Sequence, residues 1–252
     1  GDSFTMGYVV GGSGTSGAKP LVIRAAGPSL GVLGVGSTLE DPKFELFAGS
    51  TQTVTNDNWG GGEALRVAMA QVGAFAYASP TSRDAAVVAN ITTADNSVKV
   101  SAVGTGTGTV IAELYDATPT ASYTKATPRL VNVSVLKPLG TGLTVGFVVG
   151  GEGSKTVLIR VVGPTLGSFG VAGTVADPRL ELYRGPLKIA ENDNWGGAVE
   201  LAATFSSVGA FSFANTSRDA ALVTALEPGN YSVVATGVGG TGNALVEIYE
   251  VP

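Results

Sequence analysis

Two runs of Asn, Asp, Asn and Trp, at Asn56, Asp57, Asn58, Trp59 and again at Asn192, Asp193, Asn194, Trp195, are the residues here best suited to holding a metal ion. Hard cations such as calcium take carboxylate and amide oxygens, which makes Asp57 and Asp193 the candidate ligands. Each run offers a single carboxylate, whereas a calcium site gathers several. That shortage favours the other use of such a run, an Asx turn whose side chains bond the local backbone and cap the helix that follows, while the Trp packs on the fold. Cys and His are both absent from the 252 residues. Their absence removes thiolate and imidazole metal ligands, thiol nucleophiles and every His-dependent triad. No catalytic residue and no cofactor site is expected.

The remaining charged motifs also come in pairs. Arg24 and Arg160 sit inside apolar runs, facing the opposite way from Ile23 and Ile159. Glu45 and Glu181, and Glu113 and Glu247, are their candidate partners. Such a set would bind an acidic sugar or, more commonly, form an internal ion pair that fixes strand register. The SRDAA runs at 82–86 and 217–221 offer a guanidinium fork for a ligand, against a solvated salt bridge as the plainer use.

These motifs recur because the chain repeats itself. Arg24, Gly27, Pro28, Asp41, Pro42 and Trp59 reappear 136 positions later as Arg160, Gly163, Pro164, Asp177, Pro178 and Trp195. Ser82, Arg83 and Asp84 reappear as Ser217, Arg218 and Asp219, and Glu113 and Tyr115 as Glu247 and Tyr249. A period this long means two copies of a whole domain, not an array of small repeats. The second copy opens with Arg129, Leu130, Val131, Asn132, Val133, Ser134, Val135 and Leu136, a strand pattern with no counterpart in the first. These eight residues are the candidate assembly strand.

Short β-branched runs bounded by Gly, Pro, Asn and Asp predict eight strands in the second copy and seven in the first. The fold expected is all-β: two tandem, jelly-roll-like β-sandwich domains, each with one short helix. Those helices are read from Leu65, Met69 and Val72 and from Leu201, Phe205 and Val208, one stripe each, placed to cap an open end of the sandwich. The domains are read as 1–116 and 129–252, joined by a Thr- and Pro-rich linker over 117–128 that its prolines keep extended.

With LVIRAAGPSLGVLG, LEDPKFELF, NDNWGG, LEPGNYSVVATGV and ALVEIYEV in view, the chain resembles a tandem β-sandwich repeat module found in large secreted and surface proteins of environmental Gram-negative bacteria. The resemblance implies export and a sandwich fold and brings no catalytic residues. It also implies a strand like RLVNVSVL at the start of each module, from which the first copy departs.

A net charge of −5, with 15 scattered basic residues, argues against nucleic acid. No apolar stretch has the length of a membrane span, so membrane insertion is not expected. The first residue is Gly, consistent with a processed, exported form at the cell surface or outside the cell. The function expected is that of a non-enzymatic extracellular structural protein whose partner is itself, assembling head to tail by strand complementation into a fibre or surface layer. The alternative is a carbohydrate-binding or adhesion module of a larger secreted protein, with surface glycans as partners.

Overall fold

Alternating apolar residues, cut by Gly, Pro, Asn and Asp, give fifteen strands among the described residues, and each of those expected from the sequence is present. The computed structural model describes residues 3–92 and 95–252 and divides into two units, Gly1–Val131 and Asn132–Pro252. Unit 1 holds β1 (Phe4–Gly11), β2 (Lys19–Ala26), β3 (Pro42–Ala48), β4 (Thr51–Asn56), helix α1 (Glu63–Gln71), β5 (Ala85–Ile91), β6 (Asp95–Ala102) and β7 (Ile111–Asp116). β8 (Arg129–Pro138) follows and, from Asn132 onward, belongs to unit 2. Unit 2 continues with β9 (Leu143–Val149), β10 (Lys155–Val162), β11 (Pro178–Arg184), β12 (Leu187–Asn192), α2 (Val199–Ser207), β13 (Ala220–Leu226), β14 (Gly229–Gly237) and β15 (Asn243–Glu250).

In unit 2 the strands pair in the orders β8-β15-β10-β13 and β9-β14-β11-β12. Counted along the chain, this places the first strand beside the eighth, then the third and sixth, over a sheet of second, seventh, fourth and fifth. That is the strand order of an eight-stranded jelly roll. Unit 1 has β7-β2-β5 and β1-β6-β3-β4. Its order is the same with the first strand left out.

Each unit buries its residues in two layers. In unit 2, Val157, Ile159 and Val161 of β10 point between the sheets and meet Leu180, Leu182, Val233 and Val246. Leu158 and Val162 of the same strand point outward and meet Trp195, Phe205 and Phe213. Val22, Ala26, Trp59, Met69 and Tyr77 form the matching outer cluster of unit 1. β2 and β10 are thus covered on both faces, which is why LVIRAA and VLIRVV are near-continuous apolar runs. This arrangement corrects the expected place of the helices. They do not cap an open end of the sandwich, because the outward residues of β2 and β10 need cover and α1 and α2 supply it. Among the described residues no helix is long and apolar enough to cross a membrane.

The bend after β2 and β10 leaves no room for a side chain. A Cβ on Gly27 would lie 2.1 Å from the Leu39 carbonyl oxygen, and one on Gly163 would lie 2.3 Å from that of Val175. Close approach, rather than backbone dihedral, is what requires glycine at these two positions.

Residues 117–128, expected as an extended linker, are instead laid on unit 1. The Ala117 amide donates to Pro20 O at 2.9 Å, the Ser16 amide donates to Ala126 O at 3.0 Å, and residues Thr120–Ser122 form a 3-10 turn. The fully buried Lys19 explains the docking. Its ammonium bonds the Asp116 carboxylate, donates to Thr118 Oγ1 at 2.8 Å and sits 4.9 Å from the centre of the Tyr123 ring. A buried ammonium must be paired and hydrogen-bonded to be tolerated, and the 117–128 segment supplies part of that shell.

Candidate functional site

The Asn-Asp-Asn-Trp runs close turns onto the neighbouring strand. Asn56 accepts from the Ala86 amide at 3.0 Å through Oδ1 and donates to Asn58 O at 3.0 Å through Nδ2; Asn192 does the same with Ala221 and Asn194 at 3.0 Å each. Asp57 and Asp193 are exposed. The expected helix caps are not made, since the cap positions of α1 and α2 are Gly62 and Ala198, neither with a side-chain bond. The amides that would have capped a helix are committed to β5 and β13 instead. No group of three or more acidic side chains is placed to hold a metal ion among the described residues.

The two strand arginines are buried and pair with the glutamate directly opposite on the next strand. Arg24 faces Glu113 and Arg160 faces Glu247 in register, with Arg160 donating to Glu247 Oε2 from Nε at 2.8 Å and from Nη2 at 2.6 Å. Arg24 Nε lies 3.0 Å from Glu113 Oε2. The other candidate partners lie elsewhere: Glu45 is on β3 in the opposite sheet, and Glu181 pairs with Arg179 and Lys188, each at 3.2 Å. Each guanidinium also stacks on the outer-layer aromatics, Arg24 at 4.3 Å from both Phe75 and Tyr77, Arg160 at 4.3 Å from both Phe211 and Phe213. Tyr115 and Tyr249 donate to the same glutamates at 2.7 Å, and burial, together with the adjoining carboxylate, pushes both phenols well above their ordinary range. These are internal clamps, closed to ligand.

The SRDAA runs split into two roles. Arg83 and Arg218 are exposed and reach Asp41 and Asp177 at 3.2 and 2.8 Å. Asp84 and Asp219 are fully buried. Asp84 accepts from the Gly27 amide at 2.8 Å, the Ser29 amide at 3.2 Å and the Ser29 and Ser82 hydroxyls. Asp219 repeats this with the Gly163 amide at 2.7 Å, the Thr165 amide at 3.4 Å and the Thr165 and Ser217 hydroxyls. Sequence reasoning missed this hub, although the repeat of Gly27, Ser82 and Asp84 as Gly163, Ser217 and Asp219 was visible.

The candidate assembly strand is the start of β8. Within unit 2 it pairs antiparallel with β15, setting Leu136 against Leu245, Val135 against Val246, Ser134 against Glu247, Val133 against Ile248 and Asn132 against Tyr249. Val135 is buried and Val133 packs on the inter-sheet core. Leu136 is exposed, and Arg129, Leu130 and Val131 fall before the unit boundary.

β7 occupies in unit 1 the place of β15, and β2 is its sole strand neighbour among the described residues. The difference is visible in burial. Ala244, Val246 and Ile248 are 0, 1 and 6 % exposed, whereas their counterparts Val110, Ala112 and Leu114 are all partly exposed. Facing the other way on β7, Ile111 is 41 % exposed. The uncovered strip is confined to this strand, because Met6, Tyr8 and Val10 of β1 stay buried. Burial also raises the Tyr8 phenol to about 12. A row of unpaired N–H and C=O groups beside half-covered apolar side chains is a template for another strand.

Two cavities lie elsewhere in unit 1. The larger, about 450 Å³, is lined by Thr38, Glu40, Asp41, Arg83 and Thr107 among others, and the smaller, about 200 Å³, by Val10, Ser16, Thr92 and Pro128 among others. No aromatic side chain lines either one. A sugar-binding site draws on exposed aromatic rings beside polar groups, and the exposed rings of Tyr123 and Phe169 line neither cavity.

No protein family matches the chain, and no curated protein matches it. Among solved structures, one titled "PBCV-1 virus capsid, quasi-atomic model" aligns over 99 % of this chain and 93 % of that one, at 9 % identity and a TM-score of 0.19. At that score nothing about the capsid bears on this chain.

Proposed function

We propose that the protein is a non-enzymatic structural protein of the cell exterior, whose copies join end to end into a fibre or surface layer by strand addition. The observation that carries this reading is the open β7 edge, with Val110, Ala112 and Leu114 half-covered where Ala244, Val246 and Ile248 are sealed by β8. An unpaired edge recruits a strand, and a heterologous contact that does not close on itself grows into a filament. The internal commitments of the Arg–Glu pairs and the buried aspartates support a role built on shape and edges rather than on chemistry.

Light scattering of the purified chain over a range of concentrations, with electron micrographs of the same samples, tests the reading. Mass should rise with concentration and extended particles should appear. Ile111→Lys should reduce both, because a lysine on an edge strand discourages pairing, and at an exposed position it leaves the core intact. A monomer at every concentration overturns the proposal.

A further inference from the structure

The two units together have two edges of the β7 and β15 kind and one strand, β8, built to cover them. Exchange of β8 between copies conserves the number of uncovered edges, since each β8 that covers a β7 vacates a β15. It would also expose Val246 and Ile248, now 1 and 6 % exposed, in return for covering Leu114, of equal size to Ile248, and Ala112, smaller than Val246. Swapping therefore gives β7 no net partner. A strand not already folded in its donor does.

We infer that the β7 edge is an acceptor for an extended segment of β8 chemistry, supplied in trans by a segment lying outside any folded sandwich. This rests on the assembly reading above and names the partner for it. The second unit shows what the segment must look like. Aligning Glu113 with Glu247, the donor runs antiparallel to β7 and sets a residue like Val135 against Ala112 and one like Val133 against Leu114, both facing the inter-sheet core. A small hydroxyl like that of Ser134 falls against Glu113, where a larger side chain would crowd the Arg24–Glu113 pair. Main-chain bonds give such an addition its affinity and the alternate inward side chains its specificity. A donor with charge at either inward position would bury that charge unpaired.

The test is a synthetic peptide of residues 128–138, added to the full chain and followed by fluorescence anisotropy and by amide hydrogen exchange. The expected result is saturable binding of one peptide per chain, with exchange of the Ile111–Asp116 amides slowed by about tenfold or more. A peptide carrying Val133→Asp and Val135→Asp should do neither, and because the changes are in the peptide they cannot unfold the protein. Absence of binding overturns the inference. So does protection at β15 in place of β7, which means β8 is being exchanged. The assembly reading fails separately. A chain that stays monomeric yet binds the peptide at β7 sinks assembly and keeps the acceptor, whereas polymers with unprotected β7 amides sink the acceptor and keep assembly.

Discussion

Asp84 and Asp219 set the residue scale. A carboxylate with no solvent exposure is tolerated only when donors surround it, and here two amides and two hydroxyls converge on each. The bend at Gly27 and Gly163 and the entry to β5 and β13 are tied together through this one side chain. Replacing Asp84 by Ala strands several buried donors at once, for a loss of roughly 3–5 kcal/mol. The shift of the urea midpoint of unit 1 measures it. Arg83→Ala, next in sequence, removes a pair whose arginine side chain is 64 % exposed, and should change that midpoint little, as exposed ion pairs do. In the sequence the two neighbours look alike. What separates them is burial by Gly27 and Ser29, more than fifty positions away, and no local pattern encodes that.

At the scale of elements, β7 and β15 share a sequence motif and differ in environment. Strand edges without a partner open at low free-energy cost. Amides of Ile111–Asp116 should therefore exchange faster than those of Asn243–Glu250, by about an order of magnitude or more, when both are followed residue by residue in one sample dilute enough to keep copies apart. Equal protection would mean that β7 is already covered. The strands themselves were legible, because alternation and turn residues mark each of them, and the missing first strand could be read from the copy that has it. The Arg24–Glu113 and Arg160–Glu247 pairs were legible only down to two choices of glutamate, since Glu45 and Glu181 also alternate with large apolar residues and the choice depends on which sheet each strand joins. The outer helical layer was not legible. The apolar stripe on α1 says that one face is buried, and only the doubly covered β2 says against what.

The molecule as a whole carries tyrosines whose ionisation is coupled to folding. Burial raises Tyr8 to about 12 from an ordinary value of 10.0, and Tyr77, Tyr115 and Tyr249 shift in the same direction, chiefly by burial. A phenol whose folded value exceeds its unfolded one contributes stability that is complete below pH 10 and is lost as pH rises through the folded value. Phenolate absorbance and far-UV circular dichroism recorded on one alkaline titration should stay flat to about pH 10 and then change together, with ionisation and unfolding inseparable for these four rings. Lys19 has a consequence of a different kind. A Thr-, Ala- and Pro-rich stretch with an exposed lysine, Lys125, is ordinarily the first place a protease cuts, yet cleavage requires the backbone to leave its support and thread the enzyme. The bonds from Lys19 to Asp116 and Thr118, and its contact with Tyr123, hold that stretch down. Brief trypsin digestion should leave the intact chain whole after Lys125 and nick a Lys19→Met variant there into two pieces, which makes one buried ammonium the guard of the chain's continuity.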